Sequence, residues 1–440
     1  MGRTRRKRRA KVRNFQTCDQ NNDIILLNTW LSRQKCECNR KLVLTTFDTT
    51  GRGVLTKKKI RPGEELISLP LNLTINITTI LMDTLFTSIF KHNKLDCNNL
   101  YRKSLTFQCV FAFYIVFLKC LQSSTKWYIY LETLPKEYTV PYFLPSDVKC
   151  YLTNDIKCIV AKQENVIDLS YNIFVDVLSN VTNEDIFKFK EYFNKGLYEW
   201  AYFTVNTRCV FMDLNNILDF NDLSGSILEL ICDNTKIALC PYLDMINHSS
   251  NARNETKLIL NGDCDDFKVT HLNEDMFAHV HFNLYTKNNI KAFNEVFICY
   301  GDSHNLKLVT EYGFFVAENN LDSIPFAFND VHNYFISQDI KLSQQQICFI
   351  NNHGLAKDLY IDGKGLSFNF YALLMVVKYY YKENVDVTRI IYSNHVCSEG
   401  NSLNVVIRPL LSETSVFHLY HSSTVKYLTE YKAVQTFTLK

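Results

Sequence analysis

Several features that would assign this chain to a secreted, zinc-binding or membrane class are missing. No apolar stretch follows the charged N-terminus, so we expect no signal peptide, and the 15 scattered cysteines then indicate a reducing compartment. Cys36 and Cys38 have no second pair of ligands nearby, which argues against zinc there. The longest apolar run, 105–121, contains Gln108 and Lys119 and falls short of the roughly 20 clean apolar residues of a membrane span. We therefore expect a buried helix and no membrane association.

Glycine is also scarce, and its distribution divides the chain. Gly196 is the only glycine between Gly63 and Gly225. This stretch carries apolar residues at helical spacing, so residues from about 80 to 200 are predicted to be helical. β-like segments precede it, with Pro62-Gly63 as a turn, and they return after residue 240.

The pattern of strands, helices and strands again predicts an α+β fold. We predict one domain over residues 21–320, split by a helical insert at about 80–200, after a basic disordered arm at 1–20. Residues 321–440 are mainly helical in pattern and predict a separate all-α C-terminal domain. The predicted late strands are 257–260, 266–271, 279–285 and 295–300, and the predicted C-terminal helices are 341–351, 368–381 and 401–431.

The net charge of +3 hides an asymmetry. The first 13 residues hold eight basic and no acidic residues, which leaves 40 basic and 45 acidic residues for the rest of the chain. Because its like charges repel, the arm cannot fold alone. We predict that it is a nuclear-import signal, and we expect the protein in the nucleus and cytoplasm; a solubilising arm is the alternative. The mildly acidic remainder predicts no direct nucleic-acid binding beyond a contact by this arm.

Four separated motifs carry the functional interpretation. Taken singly, each has an ordinary explanation, such as a hairpin turn, a capped turn or an aromatic residue at a strand end. Glycines are also needed wherever a backbone must approach a cofactor closely. The motifs are Gly51-Arg52-Gly53, then Asn247-His248-Ser249 at the end of segment 240–249, then a strand at 295–301 ending in Tyr300-Gly301, and finally Tyr312-Gly313-Phe314.

Together and in this order, the motifs resemble the SET-domain methyltransferases. More narrowly, the chain is similar to the subfamily with a helical insert and a C-terminal substrate-binding domain, first known from the Rubisco lysine methyltransferase. Supporting landmarks are the segments 127–135 and 200–208. The resemblance covers about residues 20–320. It implies a SET β-fold with a pseudoknot, in which the Asn-His segment and the later Tyr segment thread together beside the Gly-x-Gly loop.

The resemblance implies S-adenosylmethionine as the cofactor and a role for each matching residue. Tyr300 is the predicted catalytic residue, at the point of methyl transfer. Arg208 would hold the cofactor's carboxylate or a neighbouring anion, because a guanidinium binds a carboxylate through two hydrogen bonds. No metal is expected, because only Cys348 and Cys397 follow Tyr300 and form no zinc cluster. The implied cofactor-binding residues are Gly51, Arg52, Gly53, Arg208, Asp244, Asn247, His248, Tyr300, Tyr312, Gly313 and Phe314.

The implied activity is methyl transfer to a lysine of a histone or non-histone protein. The substrate amine, with an ordinary pKa of about 10.4, must first lose a proton. A narrow aromatic channel and the cofactor's positive sulfur would lower that pKa. Alignment of the amine, methyl group and sulfur would supply most of the rate.

Two alternatives stay open. A histidine-methylating relative carries Asn two residues after the matching Arg, where this chain has Val210, so the sequence favours lysine. An inactive SET module that binds protein partners is disfavoured, because Tyr300 and the Asn-His pair are both present. We expect a protein substrate as the partner and a monomeric state.

Overall fold

The structure of the chain is a computed structural model. It describes residues 15–17, 21–34, 36–91, 101–218, 226–260, 272, 274–317, 319, 321–337, 339–362, 365–380, 386, 388–389 and 391. Most of the predicted basic arm, the predicted strand at 266–271 and the predicted helix at 401–431 lie outside the described residues.

Two units make up the chain. The first comprises residues 1–138 and 160–302, and the second comprises residues 139–159 and 303–440. The predicted domain limits at residues 20 and 320 stay predictions. The strands are β1 (Phe15–Thr17), β2 (Glu37–Cys38), β3 (Leu42–Phe47), β4 (Gly51–Thr56), β5 (Glu65–Pro70), β6 (Val210–Phe211), β7 (Ile237–Ala238), β8 (Asn247–His248), β9 (Asn254–Leu260), β10 (Val280–Thr286), β11 (Glu295–Ile298), β12 (Ser323–Phe326), β13 (Leu359–Asp362) and β14 (Gly365–Leu366).

In the described part of the first unit, β6 pairs with β7, and the other strands form two larger sheets. Their strand orders are β1-β3-β4-β11-β8 and β2-β5-β10-β9. β3 and β4 form a hairpin in which Leu44 lies opposite Val54, both buried, while β11 covers the other edge of β4. β8 pairs with β11 in parallel, with Phe297 opposite Asn247. The Asn-His segment and the strand before Tyr300 therefore lie side by side, as the resemblance implied.

Helices fill the stretch predicted as an insert. In chain order the helices are α1 (Asn22–Arg33), α2 (Ile77–Met82), α3 (Thr84–Lys91), α4 (Phe107–Leu121), α5 (Tyr128–Glu132), α6 (Ser146–Lys149), α7 (Asn154–Ser179), α8 (Glu184–Tyr192), α9 (Lys195–Arg208), α10 (Ser226–Leu230), α11 (Glu274–Phe277), α12 (Asn305–Lys307), α13 (Phe328–Ser337), α14 (Gln344–Asn352) and α15 (Phe368–Tyr379). A π-helical turn, Leu308–Tyr312, continues α12.

The apolar run predicted as a buried helix is α4. Thr106 caps its N-terminus by accepting a hydrogen bond from the backbone N–H of Cys109. By length and composition, the window Phe107–Ser124 could cross a membrane, but 67% of it is buried inside the protein. Phe113 on this helix has no exposed surface and stacks on Phe174 with ring centroids 4.1 Å apart. α4 is therefore the centre of an aromatic core.

The second unit corrects the prediction of an all-α C-terminal domain. β12, β13 and β14 form an antiparallel three-stranded sheet there, with Ile324 opposite Ile361. Alternate residues of β13, Leu359 and Ile361, are buried in a core with Leu373 of α15. This alternation over only four residues was too short to stand out from the helical periodicity around it.

Candidate active site

The Gly-x-Gly motif forms the start of β4, and its two glycines are needed for different reasons. Gly51 has a φ of +70°, in the left-handed region, with open space around it. Gly53 lies against other residues: a Cβ there would lie 2.6 Å from Asn247 Nδ2 and 2.6 Å from Glu295 Oε1. The absence of a side chain at Gly53 therefore lets three distant chain segments meet.

The amide of Asn247 joins these segments. Its Nδ2 donates to the backbone oxygen of Arg52 at 3.2 Å and to Glu295 Oε1 at 2.8 Å. Glu295 also accepts from Thr50 Oγ1, at 2.9 Å to Oε1 and 2.8 Å to Oε2. Asn247 is predicted to contact the cofactor, but its side-chain NH₂ group is hydrogen-bonded to the Gly-x-Gly loop and to Glu295.

The side chain of Arg52 contacts other parts of the first unit. Its Nη2 donates to the backbone oxygen of Thr133 at 2.5 Å, and its Nη1 lies 3.9 Å from Asp23 Oδ2. These contacts tie the Gly-x-Gly loop to the residue after α5 and to the first turn of α1. They give the Arg52 side chain a structural position in addition to its predicted cofactor contact.

Arg208 and Asp244 form a buried ion pair. Arg208, at the end of α9, places Nη1 3.2 Å from Asp244 Oδ2 and 3.1 Å from the Asp244 backbone oxygen. The hydroxyl of Tyr130 donates to the same Oδ2 at 3.1 Å. Tyr242, just before the turn that carries Asp244, has a φ of 73°, which costs a non-glycine residue about 1–3 kcal/mol. Backbone strain is thus located beside this pair.

Burial and the mutual attraction of the two charges have opposite effects on the pKa values of this pair. Burial raises the pKa of Asp244, and the nearby Arg208 guanidinium partly offsets this effect. Burial also lowers the pKa of Arg208, but the neighbouring Asp244 carboxylate and tyrosine hydroxyls outweigh it, so the Arg208 pKa is raised overall. Two buried atoms of the pair, Arg208 Nε and Asp244 Oδ1, have no hydrogen-bond partner. The pair therefore contains one buried donor and one buried acceptor that no protein group satisfies.

Tyr300 is held at both its backbone and its hydroxyl. Its backbone N–H donates to Nδ1 of His248 at 3.1 Å, and its Oη donates to the backbone oxygen of Ile246 at 2.8 Å. The Tyr300 and His248 rings pack at 5.2 Å between centroids. Because Nδ1 accepts, neutral His248 carries its proton on Nε2, and burial lowers the pKa of this imidazole. The predicted catalytic hydroxyl thus has a fixed position.

The Tyr-Gly-Phe motif belongs to the second unit. Gly313 follows the π-helical turn with a φ of +78°, and its backbone oxygen accepts from Thr139 Oγ1 at 3.0 Å. A Cβ at Gly313 would lie 2.5 Å from that Oγ1. The Tyr312 and Phe314 rings lie 6.1 Å apart. Glycine is required here for conformation and for close packing.

The first unit therefore brings the other predicted site residues into two linked groups. One contains the Gly-x-Gly loop and Asn247, and the other contains Arg208 and Asp244, with Tyr300 following the strand that pairs with β8. Sequence reasoning missed Glu295 and Tyr130, although both lie inside segments that carried the resemblance. Their side-chain partners are distant in sequence, so no spacing signal marks them.

No family model matches this chain. Among curated proteins, it is 25% identical over 391 residues to SET domain-containing protein 4 of Artemia parthenogenetica, covering 87% of this chain and 85% of that protein. It is 26% identical over 383 residues to SET domain-containing protein 4 of Mus musculus, covering 86% and 78%.

Two more distant relatives differ in the residue that their names specify. The actin-histidine N-methyltransferase of Gallus gallus is 24% identical over 286 residues, covering 64% of this chain and 40% of that protein. The ribosomal lysine N-methyltransferase set11 of Schizosaccharomyces pombe is 23% identical over 354 residues, covering 77% and 71%.

Solved structures show the fold independently. The SET domain of LSMT bound to lysine and AdoHcy aligns with a TM-score of 0.54 and 16% identity, covering 81% of this chain and 70% of that one. The predicted α+β class and the predicted resemblance are thus confirmed. The chain has the SET-domain fold, and over most of its length its sequence is similar to proteins named SET domain-containing protein 4.

Proposed function

We propose that this protein is an S-adenosylmethionine-dependent protein methyltransferase that acts on lysine residues of histone or non-histone proteins. The observation that carries the proposal is the buried Arg208–Asp244 pair, with an unpaired donor and an unpaired acceptor, in the same unit as the Gly-x-Gly loop and Tyr300. Similar proteins are named as methyltransferases, and the similar LSMT structures are complexes with AdoMet or AdoHcy.

The residues present fit the amino-acid part of this cofactor. That part carries a carboxylate and an ammonium group, which require a donor and an acceptor. Arg208 Nε is a buried cationic donor and Asp244 Oδ1 is a buried acceptor, and neither has a protein partner. A buried polar group without a partner costs about 1–3 kcal/mol, so a ligand that satisfies both atoms gains affinity. When bound, the cofactor supplies a methyl group on a positively charged sulfur.

We propose that Tyr300 orients the accepting amine. A tyrosine hydroxyl can both donate and accept, and this one donates to the Ile246 oxygen, so the proposed role of Oη is to accept a hydrogen bond from the incoming amine. His248 fixes the Tyr300 backbone, so this oxygen has one position. Such positioning is the main contribution that an enzyme makes to a displacement reaction without a covalent intermediate.

The decisive experiment is transfer of labelled methyl from S-adenosylmethionine to core histones and to a cell lysate. We expect label with the wild type and at least a roughly 100-fold loss in Tyr300→Phe, with cofactor affinity near normal. Tyr151→Phe, at a tyrosine that is 71% exposed, is the matched control and should keep full activity. Full activity in Tyr300→Phe contradicts its catalytic role, and a wild type that binds no cofactor contradicts the proposed function.

Histidine methylation is the second candidate, favoured by similarity to proteins named as actin-histidine methyltransferases. Val210, two residues after Arg208, favours lysine because its side chain has no hydrogen-bonding group for an imidazole. Substrates with Lys→Arg or His→Ala changes distinguish the two. Label that survives Lys→Arg and disappears with His→Ala would establish the second candidate.

We also propose that the basic arm directs part of the protein to the nucleus and that the rest stays in the cytoplasm. The support is the run of eight basic residues within positions 1–13. Deletion of residues 1–13 should remove nuclear enrichment of a tagged protein. Unchanged enrichment would contradict this role.

A further inference from the structure

We infer that Glu295 is a positioning residue that clamps the Gly-x-Gly loop to Asn247 and so sets the affinity for the cofactor. The inference rests on the proposed function and adds a residue that neither the motifs nor the comparisons single out. Glu295 begins β11 and is half-buried.

Its contacts join three chain segments. Oε1 of Glu295 accepts hydrogen bonds from Asn247 Nδ2 at 2.8 Å and from Thr50 Oγ1 at 2.9 Å, and Oε2 accepts from Thr50 Oγ1 at 2.8 Å. The same Asn247 amide donates to the backbone oxygen of Arg52 at 3.2 Å. Asn247 lies 197 residues after Thr50 and 48 residues before Glu295 along the chain. The Glu295 carboxylate is therefore the shared acceptor on which the loop and the Asn-His segment converge.

A carboxylate suits this place better than an amide. Both neighbours, the Thr50 hydroxyl and the Asn247 amide, donate to Glu295, and an ionised carboxylate only accepts. A glutamine side chain at this position keeps one oxygen acceptor. Its NH₂ group is a donor and would face another donor, either the Asn247 amide or the Thr50 hydroxyl. Glutamine should therefore preserve part of the clamp, and alanine should preserve none.

The close packing at Gly53 shows that the clamp is tight. An added Cβ would lie 2.6 Å from both Glu295 Oε1 and Asn247 Nδ2. The loop backbone thus lies directly against the two side chains that hold it. Without Glu295, the Asn247–Arg52 hydrogen bond remains, but the loop loses its Thr50 contact and Asn247 loses its carboxylate acceptor, so part of the loop's ordering must then be done by the ligand. Such an ordering cost reduces affinity and leaves the bound state similar.

The test separates affinity from rate. In Glu295→Ala, we expect the dissociation constant for S-adenosylhomocysteine, measured by calorimetry, to rise about tenfold or more. The value of kcat at saturating cofactor should stay within about threefold of wild type, since the bound loop is ordered. The dissociation constant of Glu295→Gln should lie between those of wild type and Glu295→Ala. This variant also keeps the test valid if the alanine variant fails to fold. Glu255→Ala on β9, whose carboxylate pairs with Lys257 and Lys287 away from this loop, is the matched control.

Each outcome has one meaning. Weakened affinity in Glu295→Ala with partial recovery in Glu295→Gln, and none of this in Glu255→Ala, supports the clamp. Wild-type affinity in both Glu295 variants overturns it, as does a fall in kcat as large as the loss of affinity. A wild-type protein that binds no S-adenosylhomocysteine contradicts the proposed function instead, so the two failures are distinguishable.

Discussion

The helical insert and the candidate site are held together by opposite means. In the insert, Phe113 is surrounded by other aromatic rings, among them Phe174 at 4.1 Å, Phe193 at 5.0 Å and Phe189 at 5.2 Å. In the site, directed hydrogen bonds and one buried ion pair hold Asp244 in place. Contact area stabilises the first region almost regardless of exact angles, whereas the second depends on specific donors and acceptors. Changes in the aromatic core around Phe113 should therefore alter stability alone, and changes in the site should alter ligand affinity as well.

The largest effect on stability should come from a substitution in the aromatic core of the insert. Phe113→Ala removes a fully buried ring and should lower the free energy of unfolding by about 4 kcal/mol. Affinity for S-adenosylhomocysteine in the fraction that folds should stay near wild type. Chemical denaturation and calorimetry measure both. Phe211→Ala, at a ring that is 67% exposed, should change stability by less than about 0.5 kcal/mol. A large loss of affinity in folded Phe113→Ala would break the comparison.

A pair of glycine variants gives the next effect. Gly53→Ala places a methyl group against Asn247 and Glu295, which should cost about 2 kcal/mol of stability and sharply weaken cofactor binding. Gly196→Ala, near the start of α9 with its nearest contact 3.6 Å away, should stabilise by up to about 1 kcal/mol and leave binding unchanged. Equal effects of the two substitutions on affinity would contradict the described packing at Gly53.

Two buried tyrosines sharpen the contrast between charged and neutral hydrogen bonds. Tyr130 on α5 donates to the carboxylate of Asp244, whereas Tyr198 on α9 donates to the hydroxyl of Ser170 at 2.8 Å. Tyr130→Phe should cost about 1.5 kcal/mol and Tyr198→Phe about 1 kcal/mol, since bonds to charged groups are stronger. Only Tyr130→Phe should also weaken cofactor affinity. If both variants weaken cofactor affinity equally, the loss does not come from the hydrogen bond between Tyr130 and Asp244.

The smallest effect concerns pH. Burial lowers the pKa of His248 below its ordinary value of 6.5, so the unfolded chain takes up a proton at a higher pH than the folded protein does. The stability contribution of His248 is therefore present above pH 6.5 and is lost as the pH falls through the folded-state pKa. His248→Gln should flatten this slope in denaturation measured between about pH 5 and 8. An unchanged slope would show that other groups determine the dependence.

The same contrast explains what the sequence could predict. Helix α4 follows from apolar composition, and the structure has it within a few residues of the predicted run 105–121. The site residues were predicted from the order of the four motifs along the chain and the family resemblance that this order carries. The hydrogen bonds of Glu295 and Tyr130 were not predictable, because each joins residues more than 40 positions apart. The sheet at β12–β14 was missed because its strands are too short to show a period.

The covering of β4 by β11 also fixes the order of events during synthesis. Thr50 precedes its partner Glu295 by 245 residues, an interval of roughly 12–50 s at ordinary translation rates. Throughout that time β3 can pair with one edge of β4, while the other edge stays open to unwanted strand pairing. The contacts that hold the Gly-x-Gly loop thus become complete only when residue 295 has left the ribosome. A chain that stops earlier has an exposed strand edge and lacks the carboxylate that Thr50 and Asn247 contact, which exposes it to unwanted strand pairing.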